Sequence, residues 1–126
     1  MDNETRATFH RGLALYNRGK YFECQELLEL AYRNAEEGER PLVRALIALS
    51  CGMHLHFNRG GGQGVENLFR RSLMEMDDFR PHRLGVDVDD LAQALQAYLE
   101  ELRDRRKPGA GFFDRWLAPR IRYRES

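Results

Sequence analysis

Pro41-Leu42-Val43-Arg44-Ala45-Leu46-Ile47-Ala48-Leu49-Ser50-Cys51-Gly52-Met53-His54-Leu55-His56-Phe57-Asn58 is the stretch that decides the fold. Leu42, Val43, Ala45, Leu46, Ile47, Leu49, Cys51 and Met53 cover most of the circumference of a helix. A helix that is apolar on nearly all sides is a central, buried one. Pro41 suits its first turn, where the missing N–H costs nothing. The run Arg59-Gly60-Gly61-Gly62-Gln63-Gly64 ends it in a loop.

The flanking sequence supplies helices to cover this one. Phe9, Leu13 and Tyr16 repeat at helical spacing over residues 4–18, with Gly12 on the same stripe and Gly19 suited to the left-handed position after the helix end. Residues 21–37 carry Cys24, Leu27, Leu28, Ala31 and Ala35 on one face. Residues 65–79 carry Leu68, Phe69, Leu73 and Met76. Residues 89–105 carry Leu91, Leu95, Tyr98, Leu99 and Leu102, with Asp87 or Asp89 as the cap. No stretch reads as a strand with period-two alternation. Tyr16-Asn17-Arg18-Gly19 matches Phe57-Asn58-Arg59-Gly60 at an offset of 41, which also sets Leu27 on Leu68 and Leu28 on Phe69. The expected fold is all-α: a compact bundle of about five helices, built from two antiparallel helical hairpins plus a C-terminal helix and tail. Residues 1–107 form the bundle domain, and 108–126 a basic aromatic tail packed on it.

At 126 residues, 42% hydrophobic and 32% charged, the chain suits one folded domain. No apolar run is long enough to span a bilayer, and the opening residues lack the pattern of a secretory signal. Cys24 and Cys51 have no metal-binding spacing and read as buried free thiols, with a disulfide between them the weaker alternative. These features point to a cytoplasmic protein. The zero net charge hides a division. Residues 103–126 hold eight basic and three acidic side chains, which leaves −5 on residues 1–102. Arginine outnumbers lysine eighteen to two. Such a tail either folds back on its own acidic body or serves as a docking strip for an anionic partner, with Arg115, Trp116, Arg120, Arg122 and Arg124 as the contact residues.

Recognised catalytic patterns are missing. The glycine run around residue 62 follows no strand and precedes no Lys-Ser/Thr pair, so it is not a phosphate loop. No serine sits in a nucleophile elbow. The polar feature with most chemical content is on the second helix, where Tyr21, Gln25, Glu29 and Tyr32 share a face beside the aliphatic stripe. His56, on the face of the third helix that carries Leu42, Ala45, Leu49 and Gly52, is expected to approach the early turns of the second if the two pack antiparallel. His10 is placed on the surface or margin of its helix, His54 as packed or surface, and His82 in solvent. The four methionines read as core filler, and Trp116 as an anchor for the tail.

The stretch Gly12-Leu13-Ala14-Leu15-Tyr16-Asn17-Arg18-Gly19-Lys20-Tyr21-Phe22-Glu23-Cys24-Gln25-Glu26-Leu27-Leu28-Glu29-Leu30-Ala31-Tyr32 resembles the opening of the bacterial and archaeal domain of unknown function 309. Leu55-His56-Phe57 with Gly60, Phe69-Arg70-Arg71-Ser72-Leu73 and Gly85-Val86-Asp87 are similar to later parts of that family, so the resemblance covers about residues 6–90. It implies an all-helical fold and no known reaction. It also implies a metal-binding pattern, H-x-x-x-E-x-x-W/Y, on the second helix. Here Gln25, Glu29 and Tyr32 stand at those positions, so the first ligand histidine is replaced by a poor metal ligand.

The expected function is therefore a small helical binding or assembly module, with a polar network at Gln25, Glu29, Tyr32 and His56. Its partner is an unidentified protein or a second copy. The alternatives are a metal-binding protein or hydrolase-like enzyme using Glu29 and His56 with a divalent metal, and nucleic-acid binding through the arginine-rich tail. The acidic body disfavours the last.

Overall fold

The computed structural model describes residues 1–58, 63–105 and 118–125. Among these residues the chain forms five α-helices: α1 (Asn3–Asn17), α2 (Tyr21–Asn34), α3 (Arg40–Asn58), α4 (Gln63–Met76) and α5 (Val88–Arg105). A one-turn 3₁₀ segment, Asp77–Phe79, and a hairpin of β1 (His82–Arg83) and β2 (Val86–Asp87) join α4 to α5. The first four helices pack as two hairpins, α1 on α2 and α3 on α4. Joined across α2 and α3, they form the all-α bundle that the periodicity predicts. None of the helices is long and apolar enough to cross a membrane.

The local chemistry explains the ends. Asp2 caps α1 by accepting the Thr5 N–H at 2.7 Å. Gly19, at φ 78°, closes α1: its N–H reaches the Tyr16 carbonyl, and that of Lys20 reaches Leu15. The spacing of apolar residues carries α2 to residue 37, but the helix ends at Asn34. Ala35 turns extended, and the Glu39 carboxylate takes the Glu36 N–H at 3.0 Å and the Met1 ammonium at 3.0 Å. Burying that carboxylate raises its pKa. The Glu36 N–H and the Met1 ammonium outweigh burial and hold it below the ordinary glutamate value.

Leu42, Val43, Ala45, Leu46, Leu49 and Met53 of α3 are fully buried between α2 and α4. The α3–α4 approach is close because Gly52 has no side chain. A Cβ there would lie 2.6 Å from Cε1 of the buried Phe69. Ser72 tightens the same interface, its hydroxyl donating to the Ala45 carbonyl at 2.7 Å. Gly12 does the equivalent in the first hairpin, where a Cβ would meet Leu28 at 3.2 Å.

Several expectations need correction. The fourth helix stops at Met76, not residue 79, because the chain tightens into the 3₁₀ turn. The strands were not expected. β1 and β2 are two residues each, too short for alternation to register, and Leu84 and Gly85 both take positive φ in the turn between them. Cys24 is buried as expected and Cys51 is half-buried; both thiols are free. Met53 and Met76 fill the core, but Met74 is 77% exposed.

Candidate functional site

Two places carry the polar residues: the face of α2 toward α3, and the corner where the chain's last described segment returns to the body. On α2, residues four apart meet, so the Gln25 carboxamide donates to Glu29 Oε1 at 3.3 Å on the surface. Tyr32, one turn on, has the Arg40 guanidinium over its ring at 5.6 Å. The α3 neighbour of Glu29 is Cys51, whose thiol is raised first by burial and then by the Glu29 charge. Cys24, on the buried side of α2, is pushed up to about 12 by burial, which keeps it protonated and inert.

His56 sits elsewhere. Its ring is 4.7 Å from Phe57 and 6.1 Å from Tyr98 of α5, and burial lowers its pKa. The pairs Tyr21–Phe57 and Phe22–His54 set His56 level with the first turn of α2. Glu29 is seven residues past Phe22, about 10 Å further along the axis at 1.5 Å per residue. The four residues therefore divide into the Gln25–Glu29 pair, Tyr32 with Arg40, and His56 in the aromatic end of the bundle. Among the described residues no group of three or more His, Cys, Asp or Glu side chains is placed to hold a metal. The donors on α2, one exposed carboxylate beside a carboxamide, do not fit the metal site that the family resemblance implies.

The second place is the corner. Residues 118–125 run extended beside β2, with Tyr123 bridged to Val86. The Asp87 N–H donates to the Arg122 carbonyl and the Arg124 N–H to the Gly85 carbonyl, each at 2.8 Å. Gly85 has φ 79°, and any Cβ there would collide with the Arg124 carbonyl oxygen. On the other side Asn17 of α1 acts as a substitute strand. Its carboxamide donates to the Ile121 carbonyl at 2.7 Å and accepts the Ile121 N–H at 2.8 Å. The buried Tyr16 hydroxyl donates to the Pro119 carbonyl at 2.7 Å. Asp87 also caps α5, accepting the Asp90 N–H at 2.9 Å.

Residues 9–68 match the family model of DUF309, a domain of unknown function. No curated protein matches the chain. The DUF309 match spans most of α1, all of α2 and α3 and the start of α4, a shorter range than residues 6–90. It includes Asn17 and Gln25–Tyr32. The hairpin, α5 and the tail strand lie outside it.

Of the residues expected to contact a partner, Arg115 and Trp116 lie outside the described residues. Arg120, Arg122 and Arg124 are exposed. Arg122 lies 3.6 Å from Asp90 with its side chain 77% exposed, a weakly held ion pair. Asn17 and Gly85 lie outside the expected site residues, and His10, expected at the surface or margin, is buried at 6% exposure. It is covered by Tyr123, whose ring stacks on it at 5.5 Å. A signal for the strand was present: Arg120-Ile121-Arg122-Tyr123-Arg124 alternates polar with apolar.

Proposed function

We propose that this chain is a binding module that presents Arg120, Arg122 and Arg124 as a row of guanidinium groups to an acidic protein segment. The observation that carries the reading is the alternation of burial along the tail strand. Ile121 is buried and Tyr123 half-buried against the body, while the three arginines between and beside them are exposed. An extended strand sends alternate side chains to opposite faces, so the arginines recur every ~6.7 Å. That is also the spacing of every second residue in an extended peptide. A partner strand with Asp or Glu at alternate positions would meet the row in register, with bidentate pairing at each step. Among the described residues Asp90 pairs with Arg122, and at 3.6 Å it holds that side chain loosely.

The test is titration of the full chain with an alternating Glu-Thr peptide, and with a peptide of the same composition in blocks. The alternating peptide should bind more tightly, and the binding should weaken as salt rises through the range where the Debye length falls below ~10 Å. Arg120→Glu/Arg122→Glu/Arg124→Glu should abolish it. Equal binding of both peptides, or full binding by the triple variant, would overturn the reading.

A further inference from the structure

Among the described residues three large hydrophobic side chains are left exposed, and they lie on two separate faces: Phe22 at 48% and Leu30 at 46% on α2, and Met74 at 77% on α4. Phe22, Glu26, Leu30 and Arg33 recur every three or four residues, so they share the outer side of α2, with the exposed Glu23 and Glu29 beside them. Phe22 rests one side of its ring on His54 at 5.4 Å. The result is a ridge with two apolar anchors eight residues apart, ~12 Å by helical rise. Carboxylates at 23, 26 and 29 run along it and a guanidinium stands near its end.

Met74 stands at the rim of a groove. The Phe69 and Tyr98 rings meet at 5.8 Å and Arg80 Nε donates to Asp89 at 2.7 Å, so α4 and α5 run antiparallel. The groove between them measures 910 Å³. Its floor is apolar: half-buried Leu73 of α4, with the buried Ala92 and Leu99 of α5. Arg70, Glu100 and Arg103 line one end, and Asp77 and Arg80 the other. Arg70 donates to Glu66 at 2.6 Å and keeps 48% of its side chain exposed, while Arg80 is held by Asp77 and Asp89. The lining charges sum to +1 at the first end and to zero at the second. Counting the partners Glu66 and Asp89 lowers both ends by one and leaves that order unchanged.

We propose that the outer ridge of α2 docks in the α4–α5 groove of a second copy of this chain. One chain carries both halves of the fit: an acidic ridge with apolar anchors, and an apolar-floored groove with arginines at one end. Charge and length set the register. With the start of α2 at the Arg70–Arg103 end, Glu23 and Glu26 meet the two guanidinium groups and Arg33 meets Asp77. Glu23 to Arg33 is ten residues of helix, and so is Gln93 to Arg103 along the groove, ~15 Å each. Phe22 then stands over Leu99 and Leu30 over Ala92, with Met74 against the ridge between them. The reverse direction sets Arg33 against two arginines and brings carboxylates toward Asp77, which costs binding energy. Ridge and groove are different faces, so the contact is heterologous, and copies add head to tail into a closed ring or an open row. One helix in one groove is at the small end of protein interfaces, so the association is weak and depends on concentration. It uses none of residues 118–125 and stands apart from the arginine row.

The experiment is sedimentation equilibrium of the full chain from about 10 μM to about 1 mM, the range in which so small an interface assembles. The weight-average mass should rise to about twice that of one chain or more at the upper end. Two variants separate the faces. Phe22→Asp/Leu30→Asp spoils the ridge and keeps the groove, and Met74→Glu/Ala97→Glu spoils the groove and keeps the ridge. All four side chains are exposed, so both variants should fold; Leu30→Asp and Ala97→Glu alone serve if a double variant does not. Each variant by itself should stay monomeric across the range. Mixed in equal amounts, they should form a pair holding one copy of each and nothing larger, because one intact ridge meets one intact groove. A wild-type chain that is monomeric throughout overturns the proposal, whatever other molecule or segment covers the groove. So does a variant that self-associates as the wild type does, or a mixture that stays monomeric. None of these outcomes bears on whether the arginine row binds an acidic peptide.

Discussion

The helical body and the tail corner are held together by different physics. In the body, side chains such as Leu13, Leu28, Leu46, Leu49 and Phe69 are fully buried, and their stability comes from apolar area and close packing. In the corner, few side chains are buried. The strand is positioned by the amide groups of Ile121 and Arg124 and the carbonyls of Pro119, Ile121 and Arg122. The body therefore depends on volume, summed over many contacts. The corner depends on register, set by individual hydrogen bonds and one glycine.

Substitutions separate the two. The largest effect belongs to the body. Phe69→Ala empties the space over Gly52 and should cost about 3–5 kcal/mol of global stability, read by urea denaturation. A loss below about 1 kcal/mol would mean that α4 collapses onto α3 and that close packing is not what holds the body. Gly85→Ala comes next. It forces an L side chain into positive φ and toward the Arg124 carbonyl, so it should cost about 1–3 kcal/mol and be felt as lost amide protection at Arg124 with α3 unaffected. Asn17→Ala removes both ties to Ile121 and should cost about 1–2 kcal/mol, again confined to the corner. Asn17→Asp should be no better, because a carboxylate can accept the Ile121 N–H but sets a second oxygen against the Ile121 carbonyl. If either variant unfolds the bundle cooperatively, the division between body and corner fails.

A pH effect sharpens the contrast within the body. Glu39 is a carboxyl whose pKa folding lowers, so its contribution is present above the unfolded glutamate value and lost as pH falls through the lower folded one. Denaturation midpoints should drop through that acid window, and Glu39→Gln should flatten the drop. The smallest effect is expected on the exposed α2 face. Gln25→Ala deletes one 3.3 Å surface bond and should change stability by about 0.5 kcal/mol or less.

The sequence was most legible where structure is local. The apolar circumference of α3, the stop at Gly19, a cap at Asp87 or Asp89 (the structure uses Asp87) and the small residue at Gly52 all follow from neighbours within one or two turns. The family resemblance was legible too: its opening motif and Leu55-His56-Phe57 lie in α1–α3, inside the matched residues 9–68, whereas Phe69–Leu73 and Gly85–Asp87 fall outside the match. The candidate site was legible only in part. Gln25 and Glu29 are four apart on one helix and do meet. His56 is tied to them by an assumed meeting of two helices, and the axial register places it about seven residues from Glu29 along α2, ~10 Å by helical rise. The alternation at residues 120–124 was written in the sequence, yet five residues cannot show which edge they join.

Amino-acid order alone determined that this chain is a set of amphipathic helices around a buried one, because helical periodicity and burial repeat every few residues. Tertiary structure alone decided that Asn17 clamps Ile121, 104 residues away, and that Tyr123 covers His10. Those pairings depend on where two distant segments come to rest in the fold, and no local pattern of side chains encodes that meeting.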